Sequence, residues 1–541
     1  MVSEMDQNPL GHYPFASTRQ IVLSTGGMVA TSQPLAVQAG IGVLADGGNA
    51  VDAAIAAAAA LTVVEPCSNG LGSDAFAIVW DGESLTGLNA SGRWPSAADA
   101  DALRDAGHES VPKRGWAPVT VPGAVDGWAM LHERFGTHPI DRILQPAIRY
   151  ATNGFPVTPV VAEQWESSAE LFLSLELPEV AAWAEVFAPS GRAPRSGELW
   201  ASPGHSRGLE SLARSGLRDF YEGEVADAIA TYAAQTGGLM TAADLASHHG
   251  EWVDPISVSY RGHEVWEIPP NGQGIAALMA LGIYGELDSD GAPQMSAANW
   301  HRQVEAMKLA FADSDAFVAD QQHVDVPVQA MIDPSYLKKR SELIGEMAGP
   351  APQGDPVTGG TVYLCTADKD GMMVSFIQSN YAGFGSGVVV PSHGISLQNR
   401  GAGFSLDPAH PNAAAPNKRP RHTIIPGFLT KNGKPVGPFG VMGAEMQPQG
   451  HLQVISGMID HGLNPQATLD APRWQVDRDG TVRVEAETSP DIISGLEARG
   501  HQVVVEQSRL SFGRGQIIQL LDGGVYAGGS EPRADGCAAG I

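Results

Sequence analysis

Cysteines, long apolar runs and a leading basic segment are scarce or missing in this chain. Its three cysteines, Cys67, Cys365 and Cys537, lie far apart in 541 residues and cannot form a disulfide framework. The longest apolar run, residues 53–64, is too short to span a bilayer. The first 15 residues hold no basic region followed by an apolar stretch, so no signal peptide is predicted. We therefore expect a cytoplasmic protein without a membrane partner.

Basic side chains are also few. Lysine and arginine together number 33, against 60 aspartates and glutamates, and the net charge is −27. Nucleic-acid binding needs a concentration of cationic side chains, so we expect no nucleic-acid partner. The acidic residues are spread along the chain without a run of six like charges, which is typical of a solvated surface.

Segments with the composition of a linker are missing too. No Pro/Ser-rich or low-complexity stretch divides the chain, so one large interleaved domain is expected, although the length would allow three. Helical and strand patterns alternate, with more strands in the second part, which predicts the α/β class. Asn49 is predicted to cap the helix that follows it. The further predicted helices are 124–135, 209–217, 224–234 and 297–317, and the predicted strands are 62–66, 75–80, 361–367, 372–380, 437–442, 482–487, 502–506 and 515–521.

The sequence does contain a Gly360-Thr361 step followed by a predicted β-hairpin, TVYLCTA, DKDG and MMVSFIQSN. A threonine hydroxyl is a weak nucleophile that needs an adjacent base, and an α-amine, which titrates at about 7.7–8.0, can take its proton. We therefore hypothesise that the Thr361 hydroxyl attacks the Gly360 carbonyl. Hydrolysis of the resulting ester would leave residues 1–360 and 361–541 as two associated chains. Gly360 permits the strained backbone that this attack requires.

Two motifs belong to other enzyme classes. Gly204-His205-Ser206-Arg207-Gly208 matches the G-x-S-x-G nucleophile elbow, which would make Ser206 the nucleophile of a serine hydrolase. That elbow needs a strand leading into it, and Pro203 cannot donate to a strand ladder, so a polar loop before a helix at Leu209 is favoured. Residues 70–75 match the dinucleotide pattern G-x-G-x-x-G/A, but a strand is predicted to follow them. The helix N-terminus that would hold a pyrophosphate is therefore missing.

Signals for metal binding are weak. None of the sixteen histidines forms H-E-x-x-H, and His248-His249 lies in a predicted polar loop. We therefore expect neither a metal nor another cofactor, with the nucleophile, base and oxyanion donors all supplied by the protein.

The segment from Thr361 onward resembles the start of the catalytic subunit in the gamma-glutamyltransferase family of N-terminal-nucleophile hydrolases. Other segments resemble that family in the same order and cover nearly the whole chain: GMVATSQPLAVQAGIGVLADGGNAVDAAIAAAAALTVVEP (27–66), VTVPGAVDGW (119–128), VEAMKLAFADSDAFVAD (304–320), NKRPRHTIIP (417–426) and DAPRW (470–474). The resemblance implies a four-layer αββα sandwich, self-cleavage, and two fragments that stay together as an αβ heterodimer or a pair of such heterodimers. It also implies a small-molecule amide as the substrate.

The resemblance further implies catalytic roles for Gly443, Ala444 and Asn380 beside Thr361, and a substrate-binding role for Gln378. Gly443 and Ala444 occupy the place of a Gly-Gly pair whose backbone N–H groups form the family's oxyanion hole, and alanine keeps the donor while constraining the backbone. Asn380 stands where the family has an asparagine that helps to hold the substrate. Gln378 stands where the family has a threonine that orients the nucleophile, so we assign it to the substrate site.

The substrate-binding positions depart from the family pattern. Relatives that act on γ-glutamyl compounds pair the substrate's α-carboxylate with an arginine four residues before a proline. That position is Ser91 here, and the nearest arginine is Arg93. Those relatives hold the α-ammonium with a glutamine and an aspartate, where this chain has Arg400 and Gly403. An ammonium beside Arg400 would meet like-charge repulsion, which favours an acyl group that has a carboxylate and no ammonium.

His422 and Thr423 correspond to two serines of the family's substrate site. With GISLQNRGAGF and KRPRHT, they resemble the branch of oxamate amidohydrolases and of acylases that remove glutaryl-like side chains from cephalosporins. We therefore expect a self-processing amidohydrolase that forms an acyl-enzyme on Thr361 and releases or transfers the acyl group. Two alternatives within this resemblance stay open. One is a true gamma-glutamyl transferase or glutathione hydrolase, and the other is an uncleaved inactive scaffold, since Val362 and Tyr363 replace a common Thr-His.

Overall fold

Two seven-stranded antiparallel sheets packed face to face form the centre of the molecule, and helices cover the outer face of each. The structure is a computed structural model and describes residues 18–287, 291–350 and 360–541. The predicted αββα sandwich of the α/β class is confirmed.

The elements of the described residues follow in chain order. The strands are β1 (Val22–Ser24), β2 (Gly27–Thr31), β3 (Asp74–Trp80), β4 (Leu85–Ala90), β5 (Phe155–Pro156), β6 (Leu199–Trp200), β7 (Glu251–Val253), β8 (Ile256–Tyr260), β9 (His263–Glu267), β10 (Gly360–Asp368), β11 (Met373–Tyr381), β12 (Val389–Val390), β13 (Ile395–Ser396), β14 (Gly427–Lys431), β15 (Lys434–Met442), β16 (Trp474–Val476), β17 (Val482–Glu485), β18 (Val503–Glu506), β19 (Arg514–Leu521), β20 (Val525–Ser530) and β21 (Cys537–Gly540). The helices are α1 (Pro34–Ala45), α2 (Ala50–Val64), α3 (Ala100–Asp105), α4 (Ala124–Phe135), α5 (Ile140–Asn153), α6 (Pro159–Ser174), α7 (Ala181–Phe187), α8 (Pro203–Ser215), α9 (Asp219–Glu222), α10 (Glu224–Thr236), α11 (Ala242–Ala246), α12 (Gly274–Gly285), α13 (Ala297–Phe317), α14 (Val328–Met331), α15 (Pro334–Ser341), α16 (Met446–Ile459), α17 (Pro465–Asp470) and α18 (Pro490–Glu497).

The strand that begins at the predicted cleavage point lies inside the first sheet. This sheet has the order β21-β2-β10-β11-β3-β4-β7, and the second has the order β1-β20-β19-β15-β14-β9-β8. β10 pairs with β2 on one edge and with β11 on the other. Apolar side chains of the two sheets meet in a central core, whose members include Met28, Phe76, Tyr363, Phe428, Met442 and Ile518. β10 is therefore held on both edges and packed on its inner face.

Helix α2 shows how composition sets the packing on the first sheet. All 15 of its residues are buried. Its alanine-rich surface lets α1, α5 and β10 approach closely, because small side chains leave little volume between the backbones. Asn49 begins the helix with a capping box, in which its side chain accepts from the Asp52 N–H and the Asp52 carboxylate accepts from the Asn49 N–H. On the other side of the molecule, α12 and α16 cover the second sheet, and α13 packs on α12.

Most predicted elements lie where the sequence placed them, and helices 124–135 and 297–317 coincide with α4 and α13. The strand predicted at 62–66 is wrong. α2 continues through the β-branched Thr62 to Val64, and the Thr62 hydroxyl donates to the Ala59 carbonyl within the helix. None of the described helices has the length and apolar character needed to cross a bilayer.

Candidate active site

Thr361, the second residue of β10, lies opposite Ser379 of β11. Their hydroxyl oxygens are 2.9 Å apart, and Thr361 is 1% exposed. The ladder is irregular at this point, because Gly360 pairs with Tyr381 whereas Val362 pairs with Gln378. Such a bulge redirects side chains at the end of a ladder. Thr361 thus stands at a strand start, as the hairpin pattern predicts, with a second hydroxyl beside it.

The Ser379 hydroxyl connects Thr361 to a cation. Its oxygen accepts hydrogen bonds from the Tyr381 backbone N–H at 2.8 Å and from Arg400 Nη2 at 3.2 Å. Tyr381 has a φ of +76°, a left-handed conformation that is uncommon for a residue other than glycine. This conformation turns the Tyr381 N–H back onto the hydroxyl two residues earlier. Strained backbone of this kind is concentrated at functional sites.

Arg400 is a buried cation without a salt bridge in the described part of the chain. It lies in a 3₁₀ turn, is 1% exposed, and donates from Nη1 to Thr423 Oγ1 at 2.6 Å. Its Cζ lies 4.3 Å from the centre of the Tyr381 ring, a distance at which a cation and an aromatic face attract. Its Nε has no hydrogen-bond partner among the described residues. Burial lowers the pKa of Arg400 to about 10, and the charge of Asp74 opposes that shift.

The predicted oxyanion turn is linked to Arg400 through Thr423. Gly443 and Ala444 connect β15 to α16, and Ala444 has a left-handed φ of +49°. Gln273 Nε2 donates to the Thr423 carbonyl at 2.7 Å and to the Ala444 carbonyl at 3.0 Å. Within the described residues, no hydrogen bond from the Gly443 or Ala444 N–H to a protein acceptor is found. Both donors are thus available to a ligand.

His422 precedes Thr423 in the chain and is paired with the carboxyl group of Asp74. Its Nδ1 accepts from the Ile424 N–H at 3.3 Å, so its Nε2 carries the proton and donates to Asp74 Oδ2 at 3.1 Å. Asp74 Oδ1 accepts from the backbone N–H groups of Gly92 and Gly123. Burial raises the pKa of Asp74 to about 7 and lowers the pKa of His422 well below its usual range. His422 is therefore a neutral side chain whose hydrogen bonds to Asp74 and to the Ile424 N–H hold it in place.

Asn380 and Gln378 point away from Thr361, because alternate side chains of a strand face opposite sides of the sheet. Asn380 accepts from Ser73 Oγ at 2.9 Å, and Gln378 Nε2 donates to the Ala58 carbonyl of α2 at 3.0 Å. Asn380 thus binds the turn before β3, and Gln378 binds α2. The residue that contacts the predicted nucleophile is Ser379, which the sequence interpretation did not assign.

Arg93 is not brought into the Thr361–Ser379–Arg400 group. Its Nη2 donates to Glu251 Oε1 at 3.1 Å and to Gln322 Oε1 at 2.9 Å. Glu251 also binds Arg419 at 2.9 Å, so one carboxylate serves two arginines. Ser91 is buried and hydrogen-bonded to Asn89. The structure thus gives Arg93 a carboxylate partner, which Arg400 lacks among the described residues.

The nucleophile-elbow motif lies inside a helix. α8 begins at Pro203, which suits a first helical position because proline has no N–H to leave unpaired. The Ser202 side chain caps the helix by accepting from the His205 N–H. The prediction of a loop up to Leu209 is therefore wrong. Ser206 Oγ contacts Thr152 and Glu210, while the nearby His205 contacts Thr62. No strand-to-turn geometry exposes Ser206, so the structure offers this motif no support.

Four residues of the site escaped the sequence interpretation: Ser379, Tyr381, Asp74 and Gln273. The period-2 pattern of β11 could have identified Ser379 and Tyr381, because a hairpin with a short DKDG turn places Ser379 opposite Thr361. Asp74 and Gln273 carried no local signal. They reach the site from β3 and from the start of α12, elements far away in the sequence.

The chain is similar to known proteins over most of its length. A model of the family described as Gamma-glutamyltranspeptidase matches residues 36–541. The glutathione hydrolase-like YwrD proenzyme of Bacillus subtilis (strain 168) is 38% identical over 530 residues, which cover 96% of this chain and 99% of that protein. The oxamate amidohydrolase proenzyme of Klebsiella pneumoniae is 36% identical over 535 residues, with coverages of 96% and 99%. A crystal structure of cephalosporin acylase from Bacillus halodurans superposes with a TM-score of 0.94 at 52% identity and covers 98% of each chain.

These matches extend over nearly the whole chain and bear the names of hydrolases and acylases. The predicted family and its amidohydrolase and acylase branch are confirmed. The chain is an enzyme of the gamma-glutamyltranspeptidase family.

Proposed function

We propose that this protein cleaves its own Gly360–Thr361 bond and then hydrolyses an amide whose acyl group bears a carboxylate. The observation that carries the proposal is the hydrogen-bonded series Thr361–Ser379–Arg400. It joins a hydroxyl at the start of β10 to a buried cation that has no carboxylate partner among the described residues.

In the proposed reaction, the α-amine freed on Thr361 takes the proton of the Thr361 hydroxyl, directly or through a water. The oxygen attacks the amide carbonyl, and the resulting oxyanion accepts from the Gly443 and Ala444 N–H groups. The tetrahedral intermediate expels the amine, which leaves with that proton, and an ester remains on Thr361. A water then attacks the ester and releases the carboxylic acid, which restores the hydroxyl.

The electrostatics of Arg400 support a substrate with a carboxylate. A buried cation is costly unless it is paired, and an anionic acyl group would supply the missing charge. The proteins named oxamate amidohydrolase and cephalosporin acylase are similar to this chain over nearly its full length, which supports an amide substrate. A γ-glutamyl group carries an ammonium as well, and that charge would be repelled by Arg400.

Two alternatives to this proposal are tested below. The similarity to a glutathione hydrolase-like proenzyme supports γ-glutamyl transfer or hydrolysis as the second candidate. The uncleaved scaffold rests on the Val362-Tyr363 substitution. In the structure these two side chains are buried in the cores on either side of β10, which gives each a packing role independent of catalysis.

Denaturing electrophoresis of purified protein tests self-cleavage. We expect fragments of residues 1–360 and 361–541, the second beginning TVYLC by N-terminal sequencing. Thr361→Ala should remain one chain and be inactive. Thr366→Ala is the matched control, because Thr366 is a buried threonine of the same strand whose hydroxyl donates to the Ala50 carbonyl. Cleavage at any other bond, or an active Thr361→Ala protein, would refute the assignment.

The substrate is tested with a panel of γ-glutamyl, glutaryl and oxamate-type amides. We expect the wild-type protein to prefer a compound without the ammonium. A clear preference for the γ-glutamyl compound would instead establish the second candidate.

A further inference from the structure

Three buried side chains with metal-ligand chemistry meet in the helix layer outside the second sheet. His301 and Glu305 lie four residues apart on α13, so they occupy the same face of the helix. His501 lies between α18 and β18, and its Nε2 is 2.8 Å from His301 Nδ1. One ligand atom from each residue lies within 4.8 Å of the other two, and no second group of this kind occurs among the described residues.

Hydrogen bonds to the backbone fix the orientation of two of these side chains. His301 Nε2 donates to the Gly345 carbonyl at 2.9 Å, so the neutral ring carries its proton there and Nδ1 is an acceptor. Metal-bound histidines commonly donate their second nitrogen to a backbone carbonyl in this way. Glu305 has comparable support, since its Oε2 accepts from the Gly349 N–H at 2.9 Å.

His501 supplies an independent observation. It is 5% exposed, and its Nδ1 has no hydrogen-bond partner in the described part of the chain. One hydrogen bond, to His301, therefore holds its ring, although buried polar groups are normally better satisfied. Because His301 Nδ1 is the acceptor, His501 Nε2 carries the proton of the hydrogen bond between the two rings. A metal bound to His501 Nε2 would move that proton to the unpartnered Nδ1.

We propose that His301, His501 and Glu305 form a binding site for Zn²⁺ or a similar divalent transition-metal ion. Zinc–nitrogen bonds of 2.0–2.1 Å at a tetrahedral angle place two nitrogens roughly 3.3 Å apart, so the rings need to separate by about half an ångström. An adjoining cavity of about 560 Å³ is lined by His301, Gly345 and Arg499, and we expect a water to complete the four ligands.

The site would fasten the segment that leads toward the predicted cleavage point. Gly345 and Gly349 bind the His301 and Glu305 side chains, and Gly349 precedes Gly360 by 11 residues (360 − 349). Lys308 also binds Glu305, at 2.7 Å, and offsets its charge. The two histidines should therefore supply most of the affinity, and the role is structural, outside the Thr361 chemistry.

Cobalt titration of the metal-stripped full chain tests the proposal. We expect one equivalent of Co²⁺ per chain, with the visible absorption of a four-coordinate ion, and displacement of the cobalt by Zn²⁺. His301→Ala and His501→Ala should each weaken binding by about a hundredfold, and Glu305→Gln by less. Zn²⁺ should raise the melting temperature of the wild-type protein and leave that of the histidine variants unchanged.

His323→Ala is the matched control, because His323 is a partly exposed histidine beyond the end of α13 whose ring pairs with Asp320. It should bind cobalt like the wild-type protein. If His501→Ala does not fold, His501→Gln keeps a hydrogen-bond donor and tests the same ligand. Amide hydrolysis should survive chelation, which separates this site from the proposed function. Absence of the cobalt absorption, or equal affinity in the wild-type and both histidine variants, would overturn the proposal.

Discussion

At the scale of single residues, Arg400 connects the proposed binding site for the substrate carboxylate with the predicted nucleophile. Its guanidinium contacts both Thr423 and Ser379, and Ser379 contacts Thr361. A substrate carboxylate that pairs with Arg400 would therefore bind one hydroxyl away from the predicted nucleophile. Arg400 would thus hold the acyl group of the substrate near Thr361.

We expect Arg400→Ala to lower kcat/KM for a glutaryl-type amide by roughly ten- to a hundredfold, since a charge-assisted hydrogen bond is worth about 1.5–3 kcal/mol. Most of this loss should appear in KM, because the interaction is present in both ground and transition states. The preference for the glutaryl compound over its γ-glutamyl counterpart should shrink. Steady-state kinetics on both compounds measures this.

Arg93→Ala is the control for Arg400→Ala, because Arg93 already has Glu251 as its partner. The kcat/KM of Arg93→Ala should change little. Both variants should still cleave the Gly360–Thr361 bond, since self-cleavage needs Thr361 and its backbone. An equal loss in the two variants would contradict the role given to Arg400.

Asp74 makes stability depend on pH. Its pKa is about 7 in the folded protein, against about 3.9 in an unfolded chain. The folded state therefore binds more protons between these values, so this contribution is complete below about pH 4 and is lost as the pH rises through about 7. Asp74→Asn keeps the oxygen that accepts from Gly92 and Gly123. It should remove this decline in the free energy of unfolding, which is on the order of 1.4 kcal/mol per unit of pKa difference.

Urea unfolding at pH 5 and pH 7 measures the Asp74 effect, with Thr361→Ala as the background so that one chain unfolds. The quantity of interest is the difference between the proteins with and without Asp74→Asn. The same change with pH in both would show that Asp74 does not titrate in this range.

At the scale of elements, the turn between β15 and α16 combines donors and strain. Ala444 has a φ of +49°, and Gly443 has a φ of +140° with Gly513 Cα only 3.1 Å from where a Cβ would lie. We expect Ala444→Gly to keep the N–H donor and activity, and to change the free energy of unfolding by no more than about 1 kcal/mol. Gly443→Ala should be destabilising and should impair hydrolysis. Thermal unfolding and kinetics of the pair test this, and an inactive Ala444→Gly protein would contradict it.

Helices such as α4, with its apolar face, and α13, with Ser296 as its cap, could be predicted from sequence, because apolar spacing and caps are local properties. Thr62 to Val64 misled the prediction because β-branched residues favour strands, whereas burial on all sides keeps them in α2. Thr361 was identified from the Gly360-Thr361 step and the hairpin after it, and Arg400 and Thr423 were identified through resemblance. The structure brings the three together. Ser379 was missed because its position depends on the register of a bulged ladder.

At the scale of the whole molecule, the two predicted fragments share both sheets. Strands from residues 1–360 border strands from residues 361–541 at β21/β2, β2/β10 and β11/β3 in the first sheet, and at β1/β20 and β14/β9 in the second. Neither fragment contains all the strands of either seven-stranded sheet. Each would leave unpaired strand edges and exposed apolar faces if it folded alone.

We therefore expect the Thr361→Ala chain to recover its native circular dichroism and compact size after dilution from urea, at yields several times those of the processed wild-type protein. Long-range strand pairing is favoured when one chain holds the partners together. Gel filtration of the refolded samples quantifies the yields. Equal recovery of the processed protein would show that the fragments find each other without the covalent link.

The position of β2 between β10 and β21 has a consequence for the lifetime of the enzyme. Self-cleavage would discard the connection that guided β2 into that slot while leaving the assembled sheet intact. A molecule that came apart would then refold less efficiently than it first folded. After maturation, the rate at which it comes apart would set its durability, and its equilibrium stability would no longer do so.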